Sequence, residues 1–261
     1  MCLNVWQENR LIDRKRGSVE ALSLQDVSFG YSKDHEVLKN LSLSVQLGGV
    51  TGLIGPNGSG KSTLIRVAGD LLKPQTGEVH VCSAPNDAKE AKRNSVLVAS
   101  NDYLPEFLTG IEYLQFIHRM YGLKCDLHEL KRLFVRYQME HRWGDLIEDY
   151  SHGMRKKVQL IAALMVARPL TMIDETPNGI DIEALYSFEA DLLELASGDH
   201  GVLLCTHDFA MLERIADTII LLSHGRILVN EDCRSLVSKY GTIDAFVKDI
   251  IARDRGTCGE R

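Results

Sequence analysis

Gly55-Pro-Asn-Gly-Ser-Gly-Lys-Ser-Thr63 decides how the rest of this chain is read. The nine residues fit G-x-x-x-x-G-K-[ST], a pattern whose glycines let consecutive backbone N–H groups point inward at phosphate oxygens. On that reading Gly55, Pro56, Asn57, Gly58, Ser59 and Gly60 form a phosphate cradle that runs on through Lys61, Ser62 and Thr63. Lys61 reaches the β and γ phosphates, and Ser62 ligates Mg²⁺. A helix opening at Lys61 aims its positive end at the same anion. A plain Gly/Ser turn has similar composition, but the flanks argue against one. Val50-Thr-Gly-Leu-Ile54 reads as a short buried strand and Thr63-Leu-Ile-Arg-Val-Ala68 as a helix, so strand, loop and helix follow in the order a triphosphate site requires.

Composition sets the frame around that loop. With 261 residues, 44% of them hydrophobic, the chain can bury a substantial core without disulfides. A net charge of −6 gives no general attraction to nucleic acid or anionic lipid, so no nucleic-acid partner is expected. Cys2, Cys82, Cys125, Cys205, Cys233 and Cys258 form no C-x-x-C pair, which indicates neither zinc nor a disulfide framework and points to a reducing, cytosolic compartment. The apolar run Leu160–Ala167 is far below the ~20 residues needed to cross a bilayer, and no spanning segment is expected. The N-terminus has no apolar secretion signal, and residues 1–19 read as a mobile extension.

Apolar and polar residues alternate at Leu22 and Leu24 and again at Leu41, Leu43 and Val45, the period of half-buried antiparallel strands. Downstream, Val96–Ala99, Leu170–Ile173, Val202–Cys205 and Thr218–Leu222 are continuous apolar runs, as expected of a parallel sheet covered on both faces. Between Thr109 and about Ala167 the pattern is helical throughout. Thr109 and Asp126 each stand three residues ahead of a glutamate, the spacing of a capping box, which predicts helices over 110–121 and 127–139. A third follows Ser151, with Met154, Val158, Ile161 and Met165 as its apolar stripe. The predicted fold is α/β: a phosphate-loop core with a mostly parallel sheet, an antiparallel β subdomain, and an inserted all-helical subdomain at about 105–167. Residues 232–261 have room for two short helices.

The chemistry-bearing residues fall at strand ends. Asp174 and Glu175 follow Leu170–Ile173, at the C-terminal edge where α/β sheets place their ligands. With Mg²⁺ across the phosphates, Asp174 can hold it through a water, while Glu175 orients or deprotonates the attacking water. An acidic turn closing a strand is the plainer alternative. His207 ends the next strand and could stand beside the γ-phosphate; taken alone, a histidine there is more often structural. Tyr31 could stack on an adenine ring or be an ordinary strand aromatic.

Taken in order along the chain, these residues resemble the nucleotide-binding domain of ABC transporters over about residues 20–230. Tyr31 is similar to that family's adenine-stacking residue, Gly55–Thr63 to its Walker A loop, Met172-Ile-Asp-Glu175 to the end of Walker B, Asn178-Gly-Ile-Asp181 to the D-loop, and His207 to the switch histidine. Tyr150-Ser-His-Gly-Met-Arg155 occupies the place of the signature, usually L-S-G-G-Q, and keeps its serine and second glycine as Ser151 and Gly153. A hydroxyl at a helix N-terminus beside a glycine is an anion site in its own right. The resemblance implies an ATPase using Mg²⁺, in which each signature completes the ATP site of a second subunit. A homodimer or a heterodimer with a related ATPase follows, as does a permease partner in the membrane, with this chain on its cytoplasmic face. The Y-S-x-G-M form resembles the branch of antibiotic, lantibiotic and heme exporters. The regions implied are an extension to 19, an ATP-binding domain over 20–230 and a short helical tail over 231–261.

Two departures stand out. Where the family's Q-loop carries glutamine, this chain reads Ser100-Asn101-Asp102, and either Ser100 or Asn101 could reach a Mg²⁺-bound water over a shorter distance. Glu175-Thr-Pro177 inverts the usual Pro-Thr order, which implies a small displacement of the D-loop. Both leave open a second function, a nucleotide-gated switch or assembly scaffold with little hydrolysis.

Overall fold

The alternating residues near the start of the chain form the first pair of strands in the computed structural model, which describes residues 20–32, 35–101, 103–175 and 180–258. The readings of residues 1–19, of Asp102 and of Thr176 to Gly179 lie outside these. Strands β1 (Glu20–Ser32) and β2 (His35–Gln46) run antiparallel, with Leu22 opposite Val45, Leu24 opposite Leu43 and Val27 opposite Leu41. All six are buried, while residues between them face outward; Leu22 and Leu24 keep the period of two, and a register irregularity between Leu24 and Val27, where Asp26 adopts φ +51°, takes up one extra residue. Next come β3 (Gly49–Ile54), α1 (Lys61–Ala68), β4 (Thr76–Val81), β5 (Ala84–Pro85), α2 (Lys89–Arg93) and β6 (Ser95–Val98).

The helical stretch follows as expected in kind, with one boundary corrected. Helix α3 (Gly110–Met120) starts on a complete capping box: the Glu112 amide donates to Thr109 Oγ1, and the Thr109 amide donates to Glu112 Oε2. Helix α4 (Leu127–Arg136) ends three residues before the predicted limit at 139. Gln138 adopts φ +54° there, and the Met139 amide turns back to the Phe134 carbonyl, which buries Met139 in the core. Helix α5 (His152–Val166) then returns to the sheet.

Alternating strands and helices complete the chain: β7 (Leu170–Asp174), α6 (Ile182–Ser197), β8 (Gly201–Cys205), α7 (Phe209–Ile215), β9 (Thr218–Ser223), β10 (Arg226–Asp232), α8 (Cys233–Tyr240) and α9 (Ile243–Cys258). The last of these spans 16 residues, longer than the short helix expected. Two sheets result, an antiparallel one in the order β2-β1-β4-β5 and a six-stranded one in the order β10-β9-β3-β8-β7-β6. In the larger sheet every pair is parallel except β10 with β9. Leu53 and Leu203 pack toward the antiparallel sheet with Leu22, Leu38 and Leu64, whereas Val50, Ile54, Val202 and Leu204 pack toward the helices. Cover on both faces explains why these strands are continuous apolar runs.

Candidate active site

The loop between β3 and α1 is shaped by its glycines. Gly55, Gly58 and Gly60 have φ of +154°, +77° and +107°. At Gly55 space is as restrictive as conformation, because a Cβ would stand 2.0 Å from the Leu222 carbonyl oxygen at the end of β9. The turn between β9 and β10 braces the loop a second time, with the Gly225 amide donating to the Ser59 carbonyl at 3.0 Å. Lys61 folds back over the loop, its Nζ donating to the carbonyls of Gly55 at 2.8 Å and Pro56 at 3.0 Å. The Ser59 hydroxyl is buried with no hydrogen-bond partner among the described residues, a donor within the cradle itself.

Strand register brings the carboxylates to this loop. Asp174 pairs with Cys205 on β8, and Cys205 pairs with Leu53 on β3, so the ends of three neighbouring strands are level. Ser62, in the first turn of α1, donates its hydroxyl to Asp174 Oδ1 at 3.0 Å. Burial pushes the Asp174 carboxyl above its ordinary range; the Ser62 bond opposes this, the Glu175 charge adds to it, and Arg66 and Lys61 pull it down. The Cys205 thiol is pushed up to about 12, first by burial and then by Asp174, so it stands beside the site as an unreactive thiol. Glu175 is exposed directly after β7 with φ +71°, a left-handed conformation that costs a non-glycine residue about 1 kcal/mol.

His207 is exposed in the turn after β8, between Thr206, whose Oγ1 accepts from the Asp208 amide, and Asp208, which caps α7 through the Met211 amide. Tyr31, at the end of β1, is 59% exposed. Its ring stands edge-on to Phe29, and its hydroxyl lies 3.3 Å from Thr63 Oγ1, which ties an open aromatic face to the phosphate loop. These residues gather around one loop: Tyr31, Lys61, Ser62, Thr63 and Asp174, with Glu175 one residue beyond the end of β7 and His207 two residues beyond β8, which stops at Cys205 and does not reach the histidine as expected.

Ser151 and Gly153 belong to a different place. Ser151 is exposed and caps α5, its Oγ accepting from the Met154 amide at 3.3 Å. Helix α5 packs against α3 and β6, and β6 is separated from β3 by β7 and β8. Ser100 and Asn101 follow β6, and α5 grips their backbone carbonyls through Lys156 and Gln159. Lys157, buried on the same helix, forms an ion pair with the exposed Asp181, the N-cap of α6. Partial burial pushes the Asp181 carboxyl up, but Lys157 and the Ala184 amide together hold it below its usual range. Sequence reading missed these three residues. One signal was present: Lys157 lies three residues after Met154 and four before Ile161, inside the apolar stripe.

Among the described residues no group of three or more His, Cys, Asp or Glu is placed to hold a metal ion. The Ser62–Asp174 pair nevertheless fits Mg²⁺ in chemistry, since a hydroxyl and a carboxylate are hard oxygen donors and this ion takes few protein ligands beside phosphate and water.

Fold and loop together define a phosphate-binding α/β domain, and comparison with known proteins supplies the family. Residues 38–178 match the family described as ABC transporter, and the chain belongs to it. It is 31% identical over 233 residues to the ABC-type transporter ATP-binding protein EcsA of Bacillus subtilis, covering 88% of this chain and 94% of that one. It is 32% identical over 197 residues to the Nod factor export ATP-binding protein I of Cupriavidus metallidurans, covering 74% of this chain and 65% of that protein. A solved structure of an ATP-binding subunit of an ABC transporter superposes with a TM-score of 0.80 at 29% identity, over 87% of this chain and 98% of the other. The chain is an ATP-binding subunit of an ABC transporter and an ATPase. The expected α/β class, with its inserted helices, is borne out. Among the described residues no helix is long and apolar enough to cross a membrane.

Proposed function

We propose that this chain pairs head to tail with a second ATPase subunit around two ATP molecules and powers an exporter embedded in the membrane, working from its cytoplasmic face. The observation that carries the reading is the separation of two half-sites: the loop with Ser62 and Asp174 at one place, and the exposed cap Ser151 at the N-terminus of a helix that packs at the β6 edge. A helix N-terminus with a free hydroxyl face suits phosphate, and in this arrangement the phosphate is the partner subunit's. The similarity to a Nod factor export protein favours export over import. Tyr103 and Phe107, 86% and 79% exposed just after the Ser100–Asn101 loop, offer the permease an apolar foothold. The regions involved are an ATP-binding domain over 20–230, with its helical subdomain at about 105–167, and a helical tail over 231–261.

Within the site, backbone N–H groups of Asn57–Gly60 and the Lys61 ammonium hold the β and γ phosphates, and Tyr31 stacks on the adenine. Ser62 and Asp174 would hold Mg²⁺, with Ser100 or Asn101 nearby, and the ion would neutralise phosphate charge. Glu175 accepts a proton from water as its oxygen bonds to the γ-phosphorus, and the bond from that phosphorus to the β-phosphate oxygen breaks, leaving ADP and phosphate. His207 stands beside the γ-phosphate, and Ser151 and Gly153 close the site from the other subunit. Glu175→Gln, purified with its membrane partner, is expected to bind ATP normally and lose turnover by at least about 100-fold. Unchanged turnover would refute Glu175 as the base. Tight ATP binding with background turnover in the unaltered complex would instead identify a nucleotide-gated switch.

A further inference from the structure

Lys156 and Lys157 in the first turns of α5 are each only 5% exposed, a placement lysine tolerates only when its ammonium has partners. Lys157 pairs with Asp181 at the start of α6. Lys156 reaches the opposite way: its Nζ donates to the Ser100 carbonyl and lies 3.5 Å from the Ala99 carbonyl. Gln159, one turn on, donates from Nε2 to the Asn101 carbonyl at 3.0 Å. Three consecutive carbonyls are thus held from one helix. They follow directly on β6, whose Val98 pairs with Ile173, the residue before Asp174. Serine and asparagine are short side chains. Where Ser100 and Asn101 can reach relative to Asp174 is therefore set by the backbone, and the backbone is held by α5.

We propose that Lys156 and Gln159 are positioning residues for the Mg²⁺-ATP site. They hold the backbone of residues 99–101 beside Asp174 from the same helix that presents Ser151. A shift of that helix is thereby passed to the cation side of the site, even though the loop has no long side chain of its own to reach across. The inference rests on the ATP-site reading above and names which residues link its two halves.

The test measures ATP binding to the full chain by calorimetry, once in EDTA and once with Mg²⁺ titrated in. Lys156→Met keeps the stem and removes the ammonium, Lys156→Arg restores a cationic donor, and Gln159→Leu removes the amide donor. Lys156→Met is expected to raise the Mg²⁺ concentration for half-maximal binding roughly ten-fold, with Gln159→Leu smaller and Lys156→Arg back within about two-fold, as for outer residues that orient metal ligands. Affinity in EDTA should stay unchanged in all three. A Mg²⁺ midpoint for Lys156→Met within about two-fold of the unaltered chain overturns the proposal. An equal loss in EDTA that Arg does not rescue also overturns it, because the residue then only supports the fold. If Lys156→Met does not fold, Gln159→Leu decides by the same criteria. An unaltered chain that binds no ATP overturns the functional reading itself.

Discussion

Replacing Asp174 by Asn removes a charge while keeping a shape. Asp174 is 2% exposed and accepts from Ser62 at 3.0 Å, and an asparagine oxygen can accept at the same place. Because burial raises the carboxyl's folded pKa above its unfolded value of 3.8, the folded state binds that proton more readily than the unfolded chain does. The ionised group therefore costs stability: the cost is absent below pH 3.8 and grows as pH rises from there through the folded pKa. Asp174→Asn should raise the melting temperature of the nucleotide-free chain at pH 7 and flatten its decline between acid and neutral pH. With Mg²⁺-ATP the order reverses. At a hundred-fold excess over Kd the unaltered chain gains about 2.7 kcal/mol, or about 5–10 °C for a chain of this size. A ten- to hundred-fold weaker cation site forfeits about 1.3–2.3 kcal/mol of that gain. Thermal melts at pH 7 in EDTA, in Mg²⁺ and in Mg²⁺-ATP read all three effects. A variant that melts lower in EDTA, or keeps the whole Mg²⁺-ATP shift, refutes the reasoning.

Two further substitutions separate the loop's shape from its ligand. Gly55→Ala drives a methyl to 2.0 Å from the Leu222 carbonyl, so β9 must give way, and urea unfolding should show a loss of about 3 kcal/mol; an unmoved midpoint would mean that the loop is not braced there. Tyr31→Ala should weaken ATP binding about ten-fold, the worth of one aromatic stacking contact, while Tyr31→Phe stays within about two-fold. Equal losses in calorimetry would assign the effect to the hydroxyl contact with Thr63 instead of the ring.

How far the sequence could be read depended on the range of the interaction behind each feature. The phosphate loop, the caps at Thr109, Asp126 and Ser151, and the buried strands are local patterns, and each lies where its pattern indicates. The end of α4 was not legible, because a positive φ at Gln138 is favoured by burying Met139 in a core assembled from distant segments. Strand β4 has only Val79 and Val81 buried, and β10 none of its residues, so neither carries a strong apolar signal. The brace on Gly55 from Leu222 and the grip of Lys156 on Ser100 depend on which strands become neighbours. No local pattern encodes that.

The position of β3 also governs when this protein becomes competent during its synthesis. Its two sheet neighbours are β8 and β9, both from the last quarter of the chain, and the Val50 amide bonds to the Asp217 carboxylate across 167 residues. A nascent chain that has already made the phosphate loop still lacks every strand that would pair with β3, so the loop waits, unbraced, until the ribosome has passed β9. Such distant pairing is slow to form and leaves an apolar strand edge open meanwhile. Nucleotide binding is thus among the last properties the growing chain acquires, though its motif is among the first parts made.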